Sequence, residues 1–181
     1  MPATLHPTKP PDHDPESTDN AFDDVLRANE GFQTGYADAH LTGKAKRGLG
    51  VLTCIDSRID PLRTLGLLPG DAKILRNAGA RVTPDVLRTL ALASYLLGVE
   101  RFMIVAHTDC RMAAGDEASV HAAIASAGGP DTRSMSFMTT DDQRGSLIDD
   151  VQRVRSWPFL GRVVVGGFLF HLDTGRLEHV C

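Results

Sequence analysis

Cysteine is scarce in this 181-residue sequence, with three residues in all. That odd, small number argues against a disulfide framework and leaves the thiols for metal or catalysis in a reducing compartment. Nor is positive charge in excess. The formal net charge is −4, acidic and basic side chains are interspersed, and no basic stripe exists that would neutralise a row of phosphates, which argues against nucleic acid as a partner. Apolar runs are short. None approaches the length needed to cross a bilayer, and the opening stretch MPATLHPTKPPDHDPEST has no apolar region of the secretory kind. These absences point to a cytoplasmic protein with no membrane partner, of a length suited to one ordinary domain.

What is present divides into three parts. Residues 1–18 are rich in Pro, Asp, Thr and Ser with almost nothing apolar, a composition that predicts a disordered tail because burial cannot offset the entropy of ordering. From Asp19 or Asn20 as candidate N-caps, Phe22, Val25, Leu26, Phe32 and Tyr36 fall near one helical face. Gly31 and Gly35 weaken that helix in isolation, so residues 19–40 read as an arm that depends on packing against the domain or a second subunit. Residues 41–181 read as an α/β domain.

Within that domain an apolar strand runs from Val51 into Cys54-Ile55-Asp56-Ser57-Arg58. Asp60-Pro61 starts a helical turn that Pro69-Gly70 ends. Ala72–Leu75 is a second, brief strand leading into the polar loop Arg76-Asn77-Ala78-Gly79. Thr83-Pro84-Asp85 reads as N-cap, first-turn proline and first-turn carboxylate of a helix carried by Val86, Leu90, Ala93 and Leu97 and stopped by Gly98. Arg101–His107 is a third strand without alternation, as expected when both faces are covered. The segment from Asp109 to Ala127 is weakly helical, and residues 128–144 form a loop whose Met135, Phe137 and Met138 either cover a pocket or anchor the loop. Ser146 with Asp149 resembles a capping box for a helix that Pro158 terminates. Arg162–Phe170 and Arg176–Val180, joined through Asp173-Thr174-Gly175, close the chain as a strand and an antiparallel edge. Alternating strands and helices predict a mostly parallel sheet flanked by helices, with that antiparallel edge strand, and with the first strand placed centrally its order is 2-1-3-4. Strands one and three then straddle the topological switch point, where open α/β sheets place ligands.

The two strands predicted to be neighbours both end in soft ligands. Cys54, His107 and Cys110 give two thiolates and one imidazole, a set that suits tetrahedral zinc and leaves a fourth position open, the catalytic rather than the structural pattern. Cys181, at the chain's end, is set aside as an incidental thiol. Asp56 is within reach of the metal or of its water, and Arg58 can hold that carboxylate through paired hydrogen bonds. A carboxylate there accepts a hydrogen bond from a zinc-bound hydroxide and so orients the oxygen lone pair outward. Two thiolates and a neutral imidazole leave zinc formally uncharged, so its water is acidified less than by three neutral histidines, where the pKa falls to about 7. Activity is therefore expected to rise on the alkaline side.

Taken together, C-x-D-x-R at Cys54 to Arg58, R-N-A-G at Arg76 to Gly79 and H-T-D-C at His107 to Cys110 closely resemble the β-class carbonic anhydrases, and their short bacterial form in particular. The resemblance runs from about Gly50 to the C-terminal hairpin. It implies a zinc enzyme that hydrates carbon dioxide reversibly to bicarbonate and a proton. By the same resemblance Cys54, His107 and Cys110 are the ligands and Asp56 orients the hydroxide with Arg58 as its clamp. Asp56 is also a possible fourth ligand in an inactive closed form. The resemblance further implies a homodimer or higher homo-oligomer, with the N-terminal arm packed on the partner. Asn77, Gly79 and Arg111 are placed in the substrate pocket or behind the ligands. Arg111 stands where the family pattern has Gly; its side chain either crowds the metal, attracts bicarbonate or hydroxide, or points to solvent. Hydrolysis of carbon disulfide or carbonyl sulfide on the same fold is the nearest alternative. A catalytically silent zinc-stabilised regulatory protein is another, disfavoured by the presence of both Asp56 and Arg58. His121 and His171 receive no role.

Overall fold

Strand β1 (Leu49–Cys54) is buried at every position, because it lies in the middle of the sheet with side chains packed on both faces. It pairs in parallel with β2 (Ala72–Asn77) on one side and β3 (Arg101–His107) on the other. Beyond β3 lie the parallel β4 (Val164–Phe170) and the antiparallel edge β5 (Leu177–His179), giving the order β2-β1-β3-β4-β5 expected from the sequence. The computed structural model describes residues 21–181. The expected tail over 1–18 and the candidate caps Asp19 and Asn20 lie outside the described residues.

The sheet separates two apolar clusters. One joins Leu52, Phe102 and Ile104 to Val86, Leu90 and Ala93 of α3 (Pro84–Leu96) and to Leu147, Val151 and Val154 of α5 (Gln143–Arg155). The other gathers Val51, Val105 and Phe170 with Ile59 and Leu67 around the short α2 (Pro61–Thr64). Gly50 has no side chain because a Cβ there would run into the ring of Phe102. The helix caps follow the sequence where it is explicit: Thr83 Oγ1 accepts from Val86 N–H at 3.3 Å, with Pro84 in the first turn.

Several boundaries differ from expectation. Strand β2 continues through Arg76 and Asn77, since its register with β1 holds until Cys54 meets Asn77. The tight turn comes afterwards, at Ala78–Ala80. Helix α5 is capped by Asp142, whose carboxylate accepts from Gly145 N–H at 2.9 Å. Ser146 is therefore inside the helix, its hydroxyl donating to Thr140 Oγ1 at 2.7 Å, and the Ser146/Asp149 capping box does not form. Asp142 wins because Gly145 leaves room for its carboxylate where any Cβ would collide with it. The helix also ends at Arg155, ahead of Pro158. Helix α4 (Glu117–Ser126) is regular, capped by Asp116. The closing strands begin at Val164 and Leu177, one or two residues later than the apolar pattern suggests.

Helix α1 (Asp23–Gln33) buries none of its residues. Phe22, Val25, Leu26, Phe32 and Tyr36 are all more than half exposed, so the apolar face predicted for the arm is present and uncovered by its own domain. No helix among the described residues is long and apolar enough to cross a membrane.

A buried ion pair fastens α5 to the turn after β2. Arg81 Nε donates to Asp150 Oδ2 at 2.7 Å, Val82 N–H donates to the same oxygen at 3.2 Å, and Arg81 Nη1 reaches the Met138 carbonyl at 2.9 Å. Asp150 is 2% and Arg81 14% exposed. Removing one partner leaves the other charge buried without compensation, so Asp150→Ala is expected to lower the unfolding free energy by about 3 kcal/mol. Urea denaturation at fixed protein concentration measures it; a loss under about 1 kcal/mol would mean that water already shares the load.

Candidate metal centre

Strands β1 and β3 end side by side, and the chain after each turns sharply enough to bring its polar groups back over the sheet edge. After β1, Ile59 is buried against α2 and its N–H donates to the Asp56 carbonyl at 3.0 Å, which folds Ile55 to Arg58 into a tight loop. Arg76 pins that loop from β2, Nε donating to the Cys54 carbonyl at 2.8 Å and Nη2 to the Asp56 carbonyl at 2.7 Å. After β3, Thr108 N–H donates to the Phe170 carbonyl at 2.9 Å and Leu172 N–H to Thr108 Oγ1 at 3.0 Å, so β4 carries the second loop.

Between the loops lie Cys54, His107 and Cys110, all buried, their ligating atoms within 4.8 Å of one another. The sulfurs of Cys54 and Cys110 are 4.0 Å apart, close to the roughly 3.8 Å that two thiolates subtend on a tetrahedral zinc with Zn–S near 2.3 Å. His107 Nδ1 donates to the Thr108 carbonyl at 2.8 Å, which fixes the tautomer and leaves the lone pair on Nε2. Nε2 is buried and has no hydrogen-bond partner. An orphaned acceptor facing two thiols is what a metal position looks like from the protein side.

The hydrogen bond from Cys110 holds Cys54 as a thiolate, well below the ordinary thiol range, and the same bond pushes the Cys110 thiol up. Gly79 N–H adds a hydrogen bond to Cys54 Sγ at 3.4 Å. Asn77 braces the loop that presents it, accepting from Arg81 N–H at 2.8 Å and donating to the Arg81 carbonyl at 2.7 Å.

Asp56 lies beside this group, Oδ2 being 3.9 Å from His107 Nε2. An Asx turn accepts Arg58 N–H on Asp56 Oδ1 at 2.9 Å and brings the guanidinium back onto the same carboxylate, Nε to Oδ1 at 3.0 Å and Nη2 to Oδ2 at 2.7 Å. Arg58 thereby holds the carboxyl of Asp56 down to about 2. Arg111 is exposed at the start of a short turn, Arg111–Ala113. A cavity of about 20 Å³ adjoins Cys110, bounded among others by Gly79, Met112, Met138, Gln143 and Asp150. Of the three loop residues, Met138 lines this cavity, Phe137 packs on the ring of His121 at 5.4 Å and Met135 is exposed.

The sequence profile of the carbonic anhydrase family matches residues 49–145, just over half of the chain. The chain belongs to the β-class carbonic anhydrase family. It is 33% identical over 169 residues to β-carbonic anhydrase 1 of Mycobacterium tuberculosis, spanning 87% of this chain and 96% of that protein. The crystal structure of a carbonic anhydrase from Streptococcus mutans superimposes with a TM-score of 0.83 at 32% identity, covering 88% of this chain and 97% of that one. A carbon disulfide hydrolase of Acidianus is 46% identical over a shorter stretch of 66 residues, 36% of this chain and 32% of that protein.

As in its β-class carbonic anhydrase motifs, so in the folded chain: Cys54, His107 and Cys110 come together with Asp56, Arg58, Asn77 and Gly79 around them. Sequence reasoning missed Arg76, Asp109 and Gln143. Arg76 was read as part of a polar loop and of the R-N-A-G motif without a role of its own, although a cation one strand over from Cys54 is well placed to bind its carbonyl. Gln143 Nε2 donates to the His107 carbonyl at 2.8 Å, a contact between distant segments with no local signal. Gly79, with φ at 77°, would put a Cβ 3.1 Å from Cβ of Met112. Gly79→Ala should tilt its N–H off Cys54 and weaken metal retention about tenfold, as read by competition with a chelator; unchanged retention would show that this N–H···S bond is dispensable.

Proposed function

We propose that the protein is a zinc-dependent carbonate dehydratase, a lyase that hydrates carbon dioxide reversibly to bicarbonate and a proton. The observation that carries this reading is the meeting of Cys54, His107 and Cys110 around an unpartnered buried Nε2, with an ionised carboxylate 3.9 Å away. Two thiolates and one imidazole fit zinc and leave one position for solvent. Zinc held there would supply a Lewis acid that makes water a nucleophile on the alkaline side of neutral.

The chain's own residues do the rest. Asp56 is acceptor-only while ionised, so it takes a hydrogen bond from an attacking oxygen and points that oxygen's lone pair at the substrate. A group without a proton to donate is not stabilised there. Arg58 occupies both carboxylate oxygens from the side and keeps Asp56 from turning onto the metal position as a fourth ligand. The sign of the pH dependence follows. With its carboxyl held at about 2, Asp56 is already ionised throughout the working range, so activity that rises toward alkaline pH reports a different proton. His171 bonds Glu178 at 2.8 Å and His121 bonds Thr132 at 2.9 Å; neither is given a part.

A silent regulatory protein would have no use for a bidentate clamp on a carboxylate beside the metal position. Hydrolysis of carbon disulfide or carbonyl sulfide is the second reading, supported by the 66-residue stretch shared with a carbon disulfide hydrolase. The uncovered apolar face of α1 supports a homodimer in which the arm packs on the partner subunit. Three free cysteines suit the cytoplasm.

Metal analysis is expected to give about one zinc per chain, lost in Cys54→Ser; a folded wild type that binds none would end the reading. Stopped-flow hydration of carbon dioxide should rise from neutral to alkaline pH, and Asp56→Ala should reduce it by about a hundredfold with zinc retained. Full turnover in that variant removes the role given to the carboxylate. Turnover of carbon disulfide but not carbon dioxide would favour the second reading.

A further inference from the structure

Arg58 is bound at two ends. While Nε and Nη2 hold Asp56, Nη1 donates to Asp109 Oδ2 at 2.7 Å and Nη2 to the Asp109 carbonyl at 3.1 Å. Asp109 sits in the turn between His107 and Cys110, with a left-handed backbone at φ 55° that aims its carboxylate across the gap between the two loops. Asp tolerates this conformation and Gly adopts it freely. The carboxylate of Asp109 uses a nitrogen that Asp56 leaves free, so the two acids do not compete for the same donor. They fix the plane of one guanidinium from two sides.

That second anchor matters because the Arg58 side chain is 51% exposed. A lone exposed pair keeps much of its side-chain freedom and is screened by solvent, so it holds loosely. We propose that Asp109 is a positioning residue for the reaction: by tying Arg58 to the loop that carries His107 and Cys110, it keeps the Asp56–Arg58 pair set as a hydrogen-bond acceptor beside the metal position. Asp109 is not one of the grouped metal-ligating residues and acts through Arg58. The inference rests on the function proposed above for Asp56.

The test uses the zinc-loaded full chain with Asp109→Gly, which suits the left-handed backbone, and Asp109→Asn, which keeps a neutral acceptor. Three quantities are read: zinc content, the Nε–H NMR signal of Arg58 (assigned by its loss in Arg58→Lys), and kcat and KM for carbon dioxide. In Asp109→Gly zinc content should stay unchanged, the Arg58 signal should weaken through solvent exchange, and kcat should fall about tenfold with KM within about twofold. Asp109→Asn should recover part of both losses. An Arg58 signal and kcat equal to wild type in Asp109→Gly would overturn the proposal, and so would loss of zinc, which would make Asp109 a support of the ligand loop instead. A wild type that binds zinc and shows the Asp109-dependent Arg58 signal, yet does not hydrate carbon dioxide, would sink the proposed reaction while leaving the anchor in place.

Discussion

Backbone hydrogen bonds hold β1 between β2 and β3 in a register that sets Cys54 opposite Asn77 and Thr53 opposite Val105, two residues short of His107. Every later feature of the site inherits that alignment. A one-residue slip of β1 would turn Cys54 to the other face of the sheet and send the side chains packed in each apolar cluster into the other. The slip is prevented by packing, since β1 is buried along its whole length and Gly50 fits the ring of Phe102 at one step only. Apolar pairing in the core thus determines where a thiolate meets an imidazole.

Charge is organised around that alignment by residues that do not touch the metal position. Arg76 neutralises the carbonyl end of β1 from the neighbouring strand, and Arg58 gathers the carboxylates of Asp56 and Asp109. The thiols sit one layer deeper, where an N–H from Gly79 favours negative charge on Cys54. A soft, buried donor set with a half-exposed acid–base rim is compatible with a divalent cation below and solvent exchange above.

Most of the architecture was legible because its signals are local. Strands without alternation, Thr83-Pro84 at a helix start and Asp173-Thr174-Gly175 at a hairpin each carry their own mechanism, and the mostly parallel character of the sheet followed from the alternation of elements. The grouping of Cys54, His107 and Cys110 was legible because the three stand at or just beyond the ends of two neighbouring strands. What escaped depends on contacts distant in sequence. The cap of α5 was misplaced because Ser146/Asp149 has the form of a capping box, while Asp142 has the space that Gly145 provides. Arg81 with Asp150 and Gln143 with His107 are 69 and 36 residues apart, and no periodicity within either segment announces a partner in the other.

The same long-range contacts explain the placement of backbone strain. Among the described residues, the non-glycine positions with left-handed backbone are Ala80, Asp109 and Met138, at φ 57°, 55° and 57°. Such conformations persist only where surrounding bonds over-determine them. Ala80 is enclosed by the two hydrogen bonds between Asn77 and Arg81, Asp109 is held by Arg58, and Met138 is held through its carbonyl by Arg81. Ala80 and Met138 line the cavity beside Cys110, while Asp109 is its neighbour in the chain. Two arginines and one asparagine therefore stabilise three unfavourable turns in the loops around the Cys54–His107–Cys110 group. The strain lies in loops beside the Cys54–His107–Cys110 group, and no described residue of the five strands has a left-handed backbone. Loops of this kind can be re-aimed by altering a side-chain clamp while Cys54 and His107 stay where β1 and β3 put them. Carbon disulfide hydrolases also occur among the relatives on this fold, and the separation of a strand-fixed Cys54–His107–Cys110 group from clamped loops is a physical feature by which the surroundings of such a group can vary while the group itself stays in place.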